Sequence, residues 1–276
     1  MKKIVLFVCA GLMLSLANAQ TLTTPQPSPT QTIKQNFSIG SIELYYSRPG
    51  KKGRKIMGDL VPFGKVWRTG ANNATTLTFS DDVTIGGVDI KAGKYGLLTI
   101  PDAAKWTIII TKDVNVSSPA AYKAENDLVR LQADVVKTPF TVENFTINFA
   151  NITGSSCTVE MMWENTYVQF PIMAPTDAKV MKQIDEVMNK DNKPYFSAAS
   201  YYYDNGKDLN QALAWVNKAI ESNKEAYWMT MLKARIHLKQ GDKAAAKAAA
   251  TTTVDLATKG KNDDYVKMAN DLIAGL

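Results

Sequence analysis

Residues able to grip a ligand are densest in the run LVPFGKVWRTGANNAT, residues 60–75. Trp67, Arg68 and Asn72 follow closely there, among Pro62, Gly64 and Gly70, which bend the backbone. Just upstream, SRPGKKGRKIMG (47–58) adds Arg48 and Arg54 beside further turn residues. A guanidinium presents a planar fork of donors that matches a carboxylate, a phosphate or an acidic sugar, and an indole offers a stacking face. One reading is a pocket in which Arg48, Arg54 and Arg68 hold an anion against Trp67. The other is a corner that a β-domain needs in order to close. Trp67 then fills the core, Arg68 bridges backbone carbonyls or Glu164, and Asn72 caps a turn. Lys51, Lys52 and Lys55 read as a solvated loop tip. The sequence leaves both readings open.

Other chemistry is scarce. Paired carboxylates facing one cleft can hydrolyse a glycosidic bond, and Glu43 and Glu164 both lie in alternating, strand-like stretches. The single histidine, His237, sits between Ile236 and Leu238 in a helical pattern. One imidazole cannot assemble a two-histidine zinc site, and no cysteine pair replaces it. A serine or cysteine nucleophile would lack its usual base. Neither Gly-x-Gly-x-x-Gly nor a Walker loop is present, and Gly86-Gly87 reads as a hairpin turn. Nucleotide, haem, zinc and flavin chemistry are therefore not expected, and no cofactor is called for. Asp81-Asp82 and Asn72-Asn73 leave calcium open without EF-hand spacing.

The elements that must position these residues change period along the chain. From Lys34 to Ala174 the period is two. Ile42, Leu44 and Tyr46 alternate with polar neighbours, as do Phe145, Ile147 and Phe149, and Val168, Phe170 and Ile172. Short strands with regular turn signals predict an antiparallel β-sandwich or a related barrel. The wholly apolar Thr107–Ile110 region is expected to be central and covered on both sides. From Pro175 the period becomes 3.6, and Val180, Ile184 and Val187 mark a connecting helix. Phe196, Ala199, Tyr203 and Gly206 then recur as Met231, Ala234, Leu238 and Gly241. That spacing, near ~34 residues, predicts two tetratricopeptide-like units and a closing helix from Asp263 to Ile273. A plain pair of helical hairpins is the alternative.

The first residues carry a different message. Lys2 and Lys3, an apolar run from Ile4 to Leu16, and Ala17-Asn18-Ala19 form a secretory signal, with cleavage expected after Ala19. Residues 20–33, rich in Thr, Gln and Pro, read as a disordered tether. Cys9 leaves with the signal, so Cys157 is alone and no internal disulfide is expected. Loss of the two lysines, the only charges in the signal, lowers the formal net charge from +6 to +4. Such a mild excess favours an envelope surface or acidic polysaccharide over nucleic acid. A periplasmic or secreted chain without a transmembrane anchor is expected.

Several runs also resemble a known family. SRP, GRKIMGDLVPFGKVWRTGANNATTLTF, DVTIGG, AGKYGLLTIP, a tryptophan six residues after Ile100, and WENTYVQFPI are similar to an exported domain-of-unknown-function family typical of Bacteroidota. In that family such a β-domain is often followed by tetratricopeptide-like helices with an ending like KGKNDDYVKMAN (259–270). The resemblance implies no activity and no ligand. One departure stands out: after the tryptophan strand the family often carries an aromatic-bearing loop, whereas this chain has DVNVSSPAAYKAEND (113–127). The expectation is a non-catalytic envelope binding protein. Arg48, Arg54, Trp67, Arg68, Asn72 and Glu164 are its candidate ligand residues, for an anionic sugar or small acidic ligand. The helices are expected to engage an envelope protein, and a hydrolase using Glu43 and Glu164 is the alternative.

Overall fold

The structure is a computed structural model that describes residues 24–276. The expected signal segment lies outside the described residues. The chain divides into two compact units between Ala174 and Pro175.

The first unit is a nine-stranded antiparallel sheet. Its strands are β1 (Thr30–Phe37), β2 (Gly40–Ser47), β3 (Thr75–Phe79), β4 (Val83–Ile85), β5 (Val88–Ile90), β6 (Gly93–Ile100), β7 (Lys105–Thr111), β8 (Asp127–Ala150) and β9 (Ser156–Met173). They lie in the order β1-β2-β3-β6-β7-β8-β9-β4-β5. The long β8 turns the corner: Asp127 to Asp134 pair with β7, and Val135 to Ala150 pair with β9. The sheet thereby folds over itself around one core, to which residues of every strand contribute. The Tyr46 hydroxyl, on β2, donates to the carbonyl of Ile147 and accepts from its N–H, tying the two halves together. β7 is covered on both faces, with Trp106, Ile108 and Ile110 in the main core and Ile109 in a smaller cluster with Ala74, Leu98 and Val116.

Two details differ from the sequence reading. The tether stops short of Ile33, because β1 begins at Thr30 and pairs Thr30 to Ile33 with Ser47 to Leu44 of β2. Backbone pairing at a sheet edge needs little apolar side chain, so a polar stretch can serve. The second difference concerns β9, whose buried face changes phase. Cys157, Val159, Met161 and Trp163 face the core, then Thr166, Val168, Phe170 and Ile172 do. Glu164, with φ of 54°, sits at the slip. Opposite it, nine residue steps of β8 from Lys137 to Thr146 face four of β9, from Thr166 to Met162. Asn165 holds the extruded β8 segment by donating to the carbonyls of Thr138 and Phe140. This is a bulge that re-aims Glu164.

The second unit contains α1 (Thr176–Val187), α2 (Tyr195–Asp204), α3 (Leu209–Ser222), α4 (Tyr227–Gln240), α5 (Lys243–Lys259) and α6 (Asp263–Ala274). Gly206 and Gly241, at φ of 64° and 85°, end α2 and α4 in the left-handed geometry that glycine adopts without strain. Asp208 and Asp242 then cap α3 and α5 by accepting backbone N–H groups. Helix pairs α2–α3 and α4–α5 thus repeat one plan, and α6 packs on α5 through Ala249, Ala250 and Ala269. Among the described residues no helix is long and apolar enough to cross a membrane.

Candidate functional site

The site is built on the 48–74 connection between β2 and β3. Connections of this length are uncommon in compact domains unless they carry function. Two straps hold this one. The N–H of Lys51 donates to Glu143 O at 2.7 Å, and the N–H of Phe145 donates to Pro49 O at 2.9 Å, which fastens the first strap to β8. Trp67 exchanges N–H···O bonds of 2.7 and 3.0 Å with Thr99, which fastens the second to β6. Between them Ile56, Met57 and Val61 plug into the core. Burying a side chain such as Ile56 contributes about 1.5–3 kcal/mol, enough to hold the connection down without regular secondary structure.

The aromatic floor follows from these straps. Trp67 stacks on Trp163 with ring centroids 6.0 Å apart and planes 18° from parallel, and Phe145 closes a triangle of rings at 4.9 Å from Trp67 and 5.7 Å from Trp163. Its indole N–H donates to Gly70 O at 3.0 Å. Gly70 lies at φ of 152°, and a Cβ there would come within 2.9 Å of Ser47 O, so only glycine fits. The corner reading of this run is therefore correct as far as it goes.

A cavity of about 430 Å³ opens over that floor. Arg54, Lys65 and Arg68 line it, with Trp67, Trp163, Leu60, Val61, Pro62 and Val66; Ser117, Ser118 and Pro119 close another side. The 113–127 loop is thus part of the wall. It is fastened at its far end by Tyr122, Asp127 and Arg130. The Tyr122 hydroxyl donates to Asp127 Oδ2, and Arg130 Nε donates to the same oxygen at 2.8 Å. Burial and the neighbouring Asp127 carboxylate raise the pKa of the Tyr122 phenol, so it stays a donor.

The six candidate residues separate into two groups. Arg54, Trp67 and Arg68 line the cavity. Arg54 is braced from behind, Nη2 donating to Gly50 O at 2.6 Å and Nε to Lys51 O at 3.0 Å. Arg68 donates Nη1 to the carbonyl of Ser117, while its Nε is buried with no hydrogen-bond partner. Arg48, Asn72 and Glu164 do not line the cavity. Arg48 donates to Phe145 O at 3.2 Å and to Thr146 Oγ1 at 2.8 Å, so its guanidinium joins the connection to β8. Asn72, at φ of 58°, donates to Ser28 O and Ser47 Oγ. Glu164 accepts from the N–H of Ile56 at 3.4 Å and faces Lys51 at 3.9 Å. These three support the wall rather than form it.

The carboxylates also fail to converge on this cavity. Glu43 is exposed on β2, between Lys34 of β1 and Thr78 of β3 in the register. Neither it nor Glu164 lines the cavity, whose wall carries no acidic side chain. Among the described residues no carboxylate forms an ion pair with Arg54, Lys65 or Arg68. Of the groups left open for calcium, Asp82 accepts from Lys91 and the N–H of Ala92, Asp81 accepts from the N–H of Asp82, and Asn72 is held through its amide nitrogen as above. His237 lies in the helical unit, where burial and the nearby Lys233 lower its pKa.

Sequence reasoning missed Lys65, Trp163 and Ser117. Lys65 stood within the singled-out run, in a type that usually reads as solvated. Trp163 was legible only as a core residue, since its stack with Trp67 spans distant parts of the chain.

The family model described as Protein of unknown function (DUF2911) matches residues 28–172. The chain belongs to this family. The match takes in the nine strands but for Met173 at the end of β9, and the whole cavity wall, so the site lies within the DUF2911 domain and the helical unit lies outside it. No curated protein and no solved structure matches the chain.

Proposed function

We propose that this DUF2911 protein is an exported, non-catalytic binding protein of the cell envelope, whose β-domain captures a small anionic ligand in the cavity over Trp67. The observation that carries this reading is the charge balance of the wall: Arg54, Lys65 and Arg68 with no acidic side chain. Three cations without a counter-charge create a positive field that a concave, low-dielectric wall concentrates. Arg68 adds a second argument. A buried N–H left unpaired costs about 1–3 kcal/mol, so an arginine serving only to tie Ser117 would be an expensive tie. A ligand that draws the guanidinium into a complete set of hydrogen bonds offsets that cost. Export rests on the amino-terminal pattern. An envelope partner for the helices rests on their stacked-pair plan, which forms protein-binding surfaces in other repeat arrays.

Charge dependence is the test. An acid that binds must raise the melting temperature, while its neutral amide must not. Lys65 is exposed and unpaired, so Lys65→Glu should weaken acid binding about tenfold or more and leave the melting temperature of the free protein within a degree or two. Equal binding of an acid and its amide would overturn the reading. Deleting the chain from Thr176 should free the protein from its partner in envelope extracts. Unchanged sedimentation after that deletion would count against a partner for the helices.

A further inference from the structure

The same wall constrains the rest of the ligand. We infer that, on the anion-binding reading above, the ligand is a small organic acid with a flat apolar body rather than a sugar acid or a free inorganic anion.

The chemistry of the wall separates these classes. A polyhydroxylated ligand offers each hydroxyl as donor and acceptor, and sites that hold such groups supply carboxylates or side-chain amides to accept them. Asp, Glu, Asn and Gln are all missing from this wall. Besides the two indole N–H groups, which are bonded to Gly70 O and Glu143 O, its side-chain polar groups are the three cations, which only donate, and the hydroxyls of Ser28, Ser117 and Ser118. Two nearby backbone acceptors are already in use, Gly70 O by the Trp67 indole and Ser117 O by Arg68. A hydroxyl-rich body would leave donors unpaired, and each would cost affinity.

Apolar surface makes up the remainder. Leu60, Pro62, Val66 and Pro119 line the cavity together with the Trp67–Trp163 stack. Leu60 keeps 43 % of its surface exposed at the wall, a large side chain left for something to cover. A free inorganic anion would satisfy the cations and leave this surface wet. The volume of about 430 Å³ exceeds the needs of a lone phosphate and falls in the range of small-molecule pockets. A carboxylate or phosphate head on the cations, with an aromatic or aliphatic body against the indole and Leu60, uses every part of the wall. The head chemistry is shared by arylcarboxylates and aryl phosphate esters.

Four probes settle the matter on the purified full chain, followed by tryptophan fluorescence and melting temperature: benzoate, phenyl phosphate, glucuronate and inorganic phosphate. Benzamide serves as the neutral control. Benzoate or phenyl phosphate should bind at least about tenfold more tightly than glucuronate and inorganic phosphate. Leu60→Ser should remove most of that advantage without lowering the weak binding of inorganic phosphate. Glucuronate binding as tightly as benzoate would overturn the inference and leave the anion-binding reading standing. Benzamide binding as tightly as benzoate would overturn the reading itself. No response to any probe, with the Lys65→Glu chain equally silent, would overturn both.

Discussion

The two units solve the packing problem in opposite ways. The β-unit buries large rings, Trp106, Trp163, Tyr46, Phe79, Phe145 and Phe170, drawn from strands far apart in the chain. In the helical unit the fully buried positions are mostly alanines, among them Ala199, Ala212, Ala234, Ala246, Ala250 and Ala257, and its aromatic rings lie partly exposed around them. Small residues let helices approach closely, while a folded sheet leaves a wide interior that only large side chains fill. Backbone strain follows the same division. Of the β-unit's non-glycine residues with positive φ, Lys52, Thr69, Asn72 and Glu164 lie in the site's own connection or at the bulge beside it, and Ser38 and Asn151 lie in short connectors between strands. In the helical unit the described residues of this kind are Asn192 and Lys261, both in connectors. Strained positions persist where surrounding contacts fix them, and here four of them cluster in the connection and bulge that support the cavity wall. The contrast teaches that the β-unit holds its site in place with large rings gathered from distant strands, whereas the helical unit is held by small residues at close helix contacts.

Opposite substitutions should therefore damage the two units. Trp163→Ala removes one half of the Trp67 stack and should cost about 3–5 kcal/mol in urea unfolding. A loss below about 1 kcal/mol would break the contrast, since the floor would then not depend on its rings. Next in size is enlargement. Ala250→Leu in the tight α4–α5–α6 core should cost about 1–3 kcal/mol by overpacking, whereas Ala250→Gly would act through helix propensity alone, near ~1 kcal/mol.

Asn72→Ala should cost about 1–3 kcal/mol, because alanine is strained at φ of 58° and both side-chain hydrogen bonds are lost. Asn72→Gly, which removes the strain but not the bonds, should cost less. Equal losses would mean that the backbone geometry there is not strained.

Alkaline pH sharpens the comparison through Tyr46 and Cys157, both in the β-core. Burial raises the Tyr46 phenol above its usual 10.0, and raises the Cys157 thiol from 9.0 to about 11. Both groups hold their protons more tightly when folded. The stability they add is complete below the unfolded values and is lost as pH rises through the folded ones. The β-unit should therefore weaken from about pH 9 upward, and Tyr46→Phe should flatten the part of that decline above pH 10. Alkylation of Cys157 by iodoacetamide at pH 8 should proceed only in denaturant. Ready alkylation of the native chain would show that this core opens locally.

Much of the fold was legible because periodicity is a local property. The two-residue alternation from Lys34 and the switch near Pro175 need only neighbouring residues to be read, and so do the glycines at 206 and 241. The phase slip in β9 was also written in the sequence, as odd positions through Trp163 giving way to even ones from Val168. Its meaning depended on where β8 bulges opposite. Half of the candidate site was legible for the same reason. Arg54, Trp67 and Arg68 share one connection with Gly64 and Gly70, and residue type marked them together.

Sequence by itself determined that a run rich in arginine, tryptophan and glycine sits inside a β-domain, because those residues declare their abilities by type. Only the tertiary structure decided which arginine reaches the cavity. Arg48 and Arg54 look alike in the chain, and each donates two hydrogen bonds. Yet Arg48 reaches across to Phe145 and Thr146, while Arg54 turns back on Gly50 and Lys51 and lines the cavity. The acceptors that draw Arg48 away lie some hundred residues along the chain, and a local pattern carries no information about contacts made only when the sheet folds over.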